Sequence, residues 1–245
     1  MTMKNINDLL TELAKGATHI ISKPETIKEL QKQGVKFDEP QRLTPEQAVE
    51  SIFSQRKAVA LANIAKFTPP PDIAIPTIGF LYDEIRECIL FGLYGAAISL
   101  SAVLVEFSLK HAVIKKKHGD AYDKNEWNRI ENVELSPIIK EAKQLGVIDR
   151  ETEKRLISFK DTIRNPYLHY NIKKITKNVA ARKVKRFDIK TREVKEIDLN
   201  AKDNPVVWGF AKRFVDREMV FQVFGFADSL VKNLFHKSTY AQESK

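Results

Sequence analysis

The stretch CILFGLYGAAISLSAVLV, from Cys88 to Val105, decides the fold class, because it runs for 18 residues without a charge. That length is near the lower limit for crossing a bilayer, but a helix apolar on all sides also belongs at the centre of a bundle. Gly92, Gly95, Ser99 and Ser101 dilute the run, Glu106 follows it at once, and no second apolar segment of that length occurs. The reading is therefore a buried bundle helix, with no membrane association. With 245 residues, 43% of them apolar, the chain can build such a core by burial alone.

Outward from this run, the patterning predicts a helix over 78–91, a longer one over 94–117 and a polar turn at Gly119-Asp120. Helices over 137–145 and 150–163 follow, separated near Gly146. In the second of these, Leu156, Phe159 and Ile163 recur at the spacing of one buried face. Phe187 and Ile189, then Ile197 and Leu199, alternate on either side of Lys190-Thr191-Arg192, which predicts a short basic β-hairpin at about 180–200. From Pro205 the chain returns to helix, with Val207, Phe210, Phe214, Phe221, Phe224, Phe226, Leu230 and Leu234 as its apolar positions.

Toward the N-terminus, Ser22-Lys23-Pro24-Glu25 and Thr44-Pro45-Glu46-Gln47 carry the residues of helix starts, and they predict helices over 24–33 and 45–66. Pro69-Pro70-Pro71 then interrupts any helix and supplies a stiff connector. The expected organisation is a helical N-terminal extension over 1–70 and a main body over 71–240. The fold class is mostly α: an antiparallel four- to five-helix bundle with a short β-hairpin insertion.

A single cysteine, Cys88, forms no internal disulfide, and MTMKNINDLL lacks the apolar stretch of a signal peptide. Both features favour the cytoplasm. Glycine-rich phosphate loops, His-Glu-x-x-His and Cys-x-x-Cys are absent from the sequence, which argues against a nucleoside triphosphatase or zinc enzyme, so no cofactor or metal is expected. Charge is concentrated in one place: Lys173 to Lys195 carries ten basic residues against Asp188 and Glu193, or +8 of the formal +9. Such a patch is the footprint of a polyanion binder, or else a solvated lysine-rich loop. The compact polar group Arg164, Asn165 and His169 closes an otherwise core-forming helix. His19, His111, His118 and His236 have no partners in sequence and receive no role, and Trp127 and Trp208 read as core or interface residues.

Two segments resemble the HEPN superfamily of ribonuclease-like helical domains. Gly92-Leu93-Tyr94-Gly95-Ala96-Ala97, running on through Ala102-Val103-Leu104-Val105-Glu106-Phe107-Ser108-Leu109-Lys110, looks like the second bundle helix of those domains. Ile163-Arg164-Asn165-Pro166-Tyr167-Leu168-His169 is similar to their motif of an arginine, a polar residue, and a histidine four to six positions after the arginine. The resemblance covers about residues 75–236.

It implies a metal-independent endoribonuclease of the stress, toxin or phage-defence type, acting as a homodimer whose two motifs face one cleft, with an antitoxin or regulatory protein as a further class of partner. Arg164 and His169 would be catalytic, supported by Glu106, Asn165 and Tyr170, while Lys173, Lys174, Lys177, Arg182, Lys183, Lys185 and Arg186 would hold RNA. The residue types suit that chemistry. Histidine serves as acid or base near neutrality, and arginine binds phosphate oxygens through two donors. The alternative is a non-catalytic HEPN-like module binding nucleic acid or a protein. On that reading Arg164 simply pairs with Glu106 and His169 sits at a helix end near its dipole.

Toxins of the superfamily that are silenced by nucleotidylation carry tyrosine two places after the histidine. Here that position is Asn171, and the tyrosine is adjacent at Tyr170. One geometric condition attaches to the motif. On a regular helix Arg164 and His169 stand about 140° apart around the axis, so a kink or a tight helix end at Asn165-Pro166 is expected to bring them together.

Overall fold

The computed structural model describes residues 44–119, 123–187, 194–205 and 208–235. The chain separates into two compact units, Met1–Ile52 and Phe53–Lys245. The expected helix over 24–33 and most of the N-terminal extension lie outside the described residues. The proline run at 69–71 falls inside the larger unit.

The described part is mostly helical. Helix α1, Pro45–Ile64, opens on the predicted capping box: the Thr44 amide donates to Gln47 Oε1 at 2.9 Å and the Gln47 amide to Thr44 Oγ1 at 3.3 Å. Helix α2 spans Pro76–Leu90 and buries Ile78, Tyr82, Ile85 and Ile89, one face at spacings of three and four. Phe91 ends it, and Gly92 at φ +72° reverses the chain into α3, Tyr94–His118. The uncharged run is thus two helices meeting at a left-handed glycine. Helix α3 is long and apolar enough to span a bilayer, but 67% of its most apolar window is buried within the protein. Its buried residues, among them Ile98, Leu104, Lys110 and Ile114, point to several sides at once, as a central helix requires. Each Leu or Ile so enclosed contributes about 1.5–3 kcal/mol of burial.

Helices α4, Lys124–Glu131, and α5, Leu135–Gln144, follow. Helix α6, Arg150–Phe159, continues through a π-helical turn, Lys160–Arg164, into α7, Asn165–Leu168. After the short α8, Ile172–Ile175, strand β1, Ala180–Phe187, pairs antiparallel with β2, Val194–Asn200. The register sets Val184 opposite Ile197 and Phe187 opposite Val194, with an irregularity between Ala181 and Val184. The expected turn at 190–192, and Ile189 with it, lies outside the described residues. Helix α9, Trp208–Phe235, closes the described chain.

Side-chain partners give the helix directions within the larger unit. Gly95, early in α3, lies against Asp216, early in α9, while His111 and Phe235 meet near the far ends with ring centroids 5.7 Å apart. The two helices run the same way. Phe159 stacks on Phe226 at 4.7 Å and Tyr167 reaches Asp216, so α6–α7 runs opposite to α9. Tyr82 of α2 donates to Asp228 and packs on Phe224, and Asn63 of α1 donates to the Ile89 carbonyl at 2.7 Å.

Candidate functional site

Arg164 stands at the end of the π-helical turn with its side chain 21% exposed. Its Nε and Nη2 donate to Glu106 Oε2 at 3.2 and 3.0 Å, and Nη1 donates to Asn165 Oδ1 at 3.1 Å. Glu106 is on the central helix α3, and its other oxygen, Oε1, pairs with Lys110 Nζ at 2.9 Å. Lys110 is buried and also donates to the Glu131 carbonyl at 3.1 Å, tying the end of α4 to the same group. Glu106 is thus held between two cations. Among the described residues, three of the five guanidinium N–H donors of Arg164 are engaged and two make no hydrogen bond.

Pro166 does not break the helix here, contrary to the expectation from sequence. Asn165 is helical at φ −66°, ψ −45°, and the chain stays helical to Leu168. The π-helical turn explains how. The Asn165 amide reaches back five residues to the Lys160 carbonyl, so the wider turn just before the proline accommodates its ring and its missing donor. Burial of Pro166 and Tyr167 outweighs the usual bias of a pre-proline residue against helical geometry. Arg164 turns inward to Glu106, whereas His169 is exposed, and no hydrogen bond or ion pair links the two.

His169 is the C-cap of α7. Beyond it the Tyr170 amide donates to the Tyr167 carbonyl at 3.2 Å and the Asn171 amide to the Pro166 carbonyl at 2.7 Å. These are the two bonds of a Schellman cap, whose left-handed position usually holds glycine. In this chain it holds Tyr170, at φ +47°. A side chain there costs about 1–2 kcal/mol.

A second polar group braces the same helix end. The Tyr167 hydroxyl donates to Asp216 Oδ1 at 2.8 Å, and Lys212 Nζ pairs with Asp216 Oδ2 at 2.6 Å. Burial, and next the negative charge of Asp216, push the Tyr167 phenol well above its ordinary range, so it stays a donor. The Lys212 ammonium also lies 5.2 Å from the Tyr167 ring centroid and 5.5 Å from that of Tyr170. Gly95 makes room for this group: a Cβ there would stand 2.7 Å from Asp216 Oδ2 and 2.8 Å from Lys212 Nζ. Sequence reasoning passed over Lys110, Lys212 and Asp216. The available signal was the helical spacing of four in Glu106–Lys110 and Lys212–Asp216.

Of the residues assigned to RNA, Lys173, Lys174 and Lys177 are exposed on and just after α8, whereas Arg182, Lys183, Lys185 and Arg186 lie on β1. Among the described residues, no three His, Cys, Asp or Glu side chains converge as a metal site requires. Trp127 packs against Phe107 and His111, and the Trp208 indole donates to the Ala201 carbonyl at 2.6 Å. No protein-family model matches the chain, and comparison with curated proteins and with solved structures finds no match.

Proposed function

We propose that this chain is a HEPN-like helical bundle acting as a metal-independent endoribonuclease, with Arg164 and His169 as its catalytic residues. The observation that carries the reading is the division of labour at one helix end. Glu106 and Asn165 orient the Arg164 guanidinium while leaving two donors free, and His169 stands exposed one turn further on. Arg164 binds a non-bridging phosphate oxygen and stabilises the charge of the phosphorane. His169 transfers protons.

The reaction needs two proton transfers. One group takes the proton of the 2′-hydroxyl as its oxygen attacks phosphorus, and another protonates the 5′-oxygen as the P–O5′ bond breaks. One chain offers a single His169, so the second comes from a second copy whose motif faces the same cleft. Exposed lysines around α8, with the basic strand β1, hold the phosphate backbone.

The chemistry is tested by the product ends. Cleavage by this route yields a 2′,3′-cyclic phosphate and a 5′-hydroxyl, whereas 3′-hydroxyl and 5′-phosphate ends would sink it. A second reading, a non-catalytic module that binds RNA or a protein, draws on the engagement of three Arg164 donors within the fold. It is favoured if RNA is bound and left intact.

A further inference from the structure

The helix that carries the candidate site ends in a geometry made for glycine, and the residue there is aromatic. Tyr170 has φ +47°, is 67% exposed, and has no hydrogen bond on its hydroxyl among the described residues. Little in the fold accounts for that ring. The cap itself is made by main-chain bonds that glycine would make without strain. Lys212, the cation beside the ring, has its own carboxylate partner in Asp216 and a closer ring in Tyr167. A strained conformation kept at an exposed position, next to a candidate catalytic residue, is a mark of function.

We propose that Tyr170 is a stacking platform for one base of a single-stranded RNA lying across the His169 end of the helix. The proposal rests on the RNA reading of the site and extends it to how the strand is placed. Any base has a face that stacks on an aromatic ring, so the platform positions a nucleotide beside His169 without demanding a sequence. Lys173, Lys174 and Lys177, exposed a few residues on, are placed to follow the phosphates away from that base.

The test is anisotropy of a labelled 2′-O-methyl oligoribonucleotide, which cannot be cleaved, with wild-type protein and with Tyr170→Phe, Tyr170→Asn and Tyr170→Gly. The Phe variant is expected to bind within about twofold of wild type, because the ring is kept. The Asn and Gly variants should bind about 5- to 150-fold more weakly, the loss of one stacked base. Their Tm should stay level or rise by up to about 4 °C, since both residues tolerate the left-handed conformation. An abasic nucleotide at one position of the oligonucleotide should weaken wild type by the same factor and leave Tyr170→Asn unaffected.

Unchanged affinity in Tyr170→Asn overturns the proposal. A clear fall in Tm for both Asn and Gly variants also overturns it, by making the ring structural, and so does loss of self-association, by making it a subunit contact. The two readings fail separately. Ring-dependent binding without cleavage removes the catalytic reading alone, whereas cleavage that depends on His169 with unchanged Tyr170→Asn binding removes the platform alone.

Discussion

Arg164 is held by Glu106, and Lys110 changes what its removal should do. Stranding a partly buried carboxylate ordinarily costs about 3–5 kcal/mol. Glu106 keeps a second cation in Lys110, at 2.9 Å, so Arg164→Ala should cost only about 1–2 kcal/mol. Adding Lys110→Ala should then cost more than the sum of the two single changes, because Glu106 loses its last partner. Urea unfolding of both single variants and the double variant measures this, and strict additivity would contradict the shared-partner arrangement. The pairing of Arg164 with Glu106 was legible in the sequence, since both charges fall in segments otherwise destined for the core. The behaviour of Pro166 was not. Its local bias points one way, and the remedy, one wider turn before it, depends on the burial of Tyr167 and its bond to Asp216 across the fold.

At the scale of elements, the long helices were readable because their apolar periodicity is also their packing. Helix α4 escaped notice, being eight residues long and buried only at Ile130. Its start was nonetheless marked. Asp123 Oδ1 accepts from the amides of Asn125 and Glu126. What anchors α4 is a charged cluster in which Arg129 bridges Glu126 and Glu141, and Lys117 pairs with both carboxylates. The hydrogen bonds from Arg129, foremost, hold the Glu126 carboxyl down at about 2, from an ordinary value of 4.5. A lowered carboxylate contributes stability that is complete above its unfolded pKa and disappears as pH falls through the folded one. Glu126→Gln should therefore be less stable than wild type at pH 6, with the gap closing between pH 5 and pH 2. Urea midpoints across that range check it, and a gap independent of pH would contradict the linkage.

For the whole molecule, one chain presents one inward arginine and one outward histidine, so the proposed ribonuclease needs a second copy to supply the second proton transfer. Light scattering at tens of micromolar should give twice the mass of 28.1 kDa, and a monomer that still cleaves RNA would refute the composite site. A mostly helical body built on the Cys88–Val105 run could be read from the sequence, because an apolar run broken by glycine and closed by Glu106 fits a bundle better than a bilayer. How Tyr167 meets Asp216 could not, since that depends on helices far apart in the chain meeting at one level. The central claim is catalysis by Arg164 and His169 without a metal. Its most direct test is RNA cleavage in excess EDTA by wild-type protein and by His169→Ala, both verified as folded by circular dichroism. Cleavage is expected with wild type and none with His169→Ala. Equal cleavage by the two proteins, or activity abolished by the chelator, would contradict the claim.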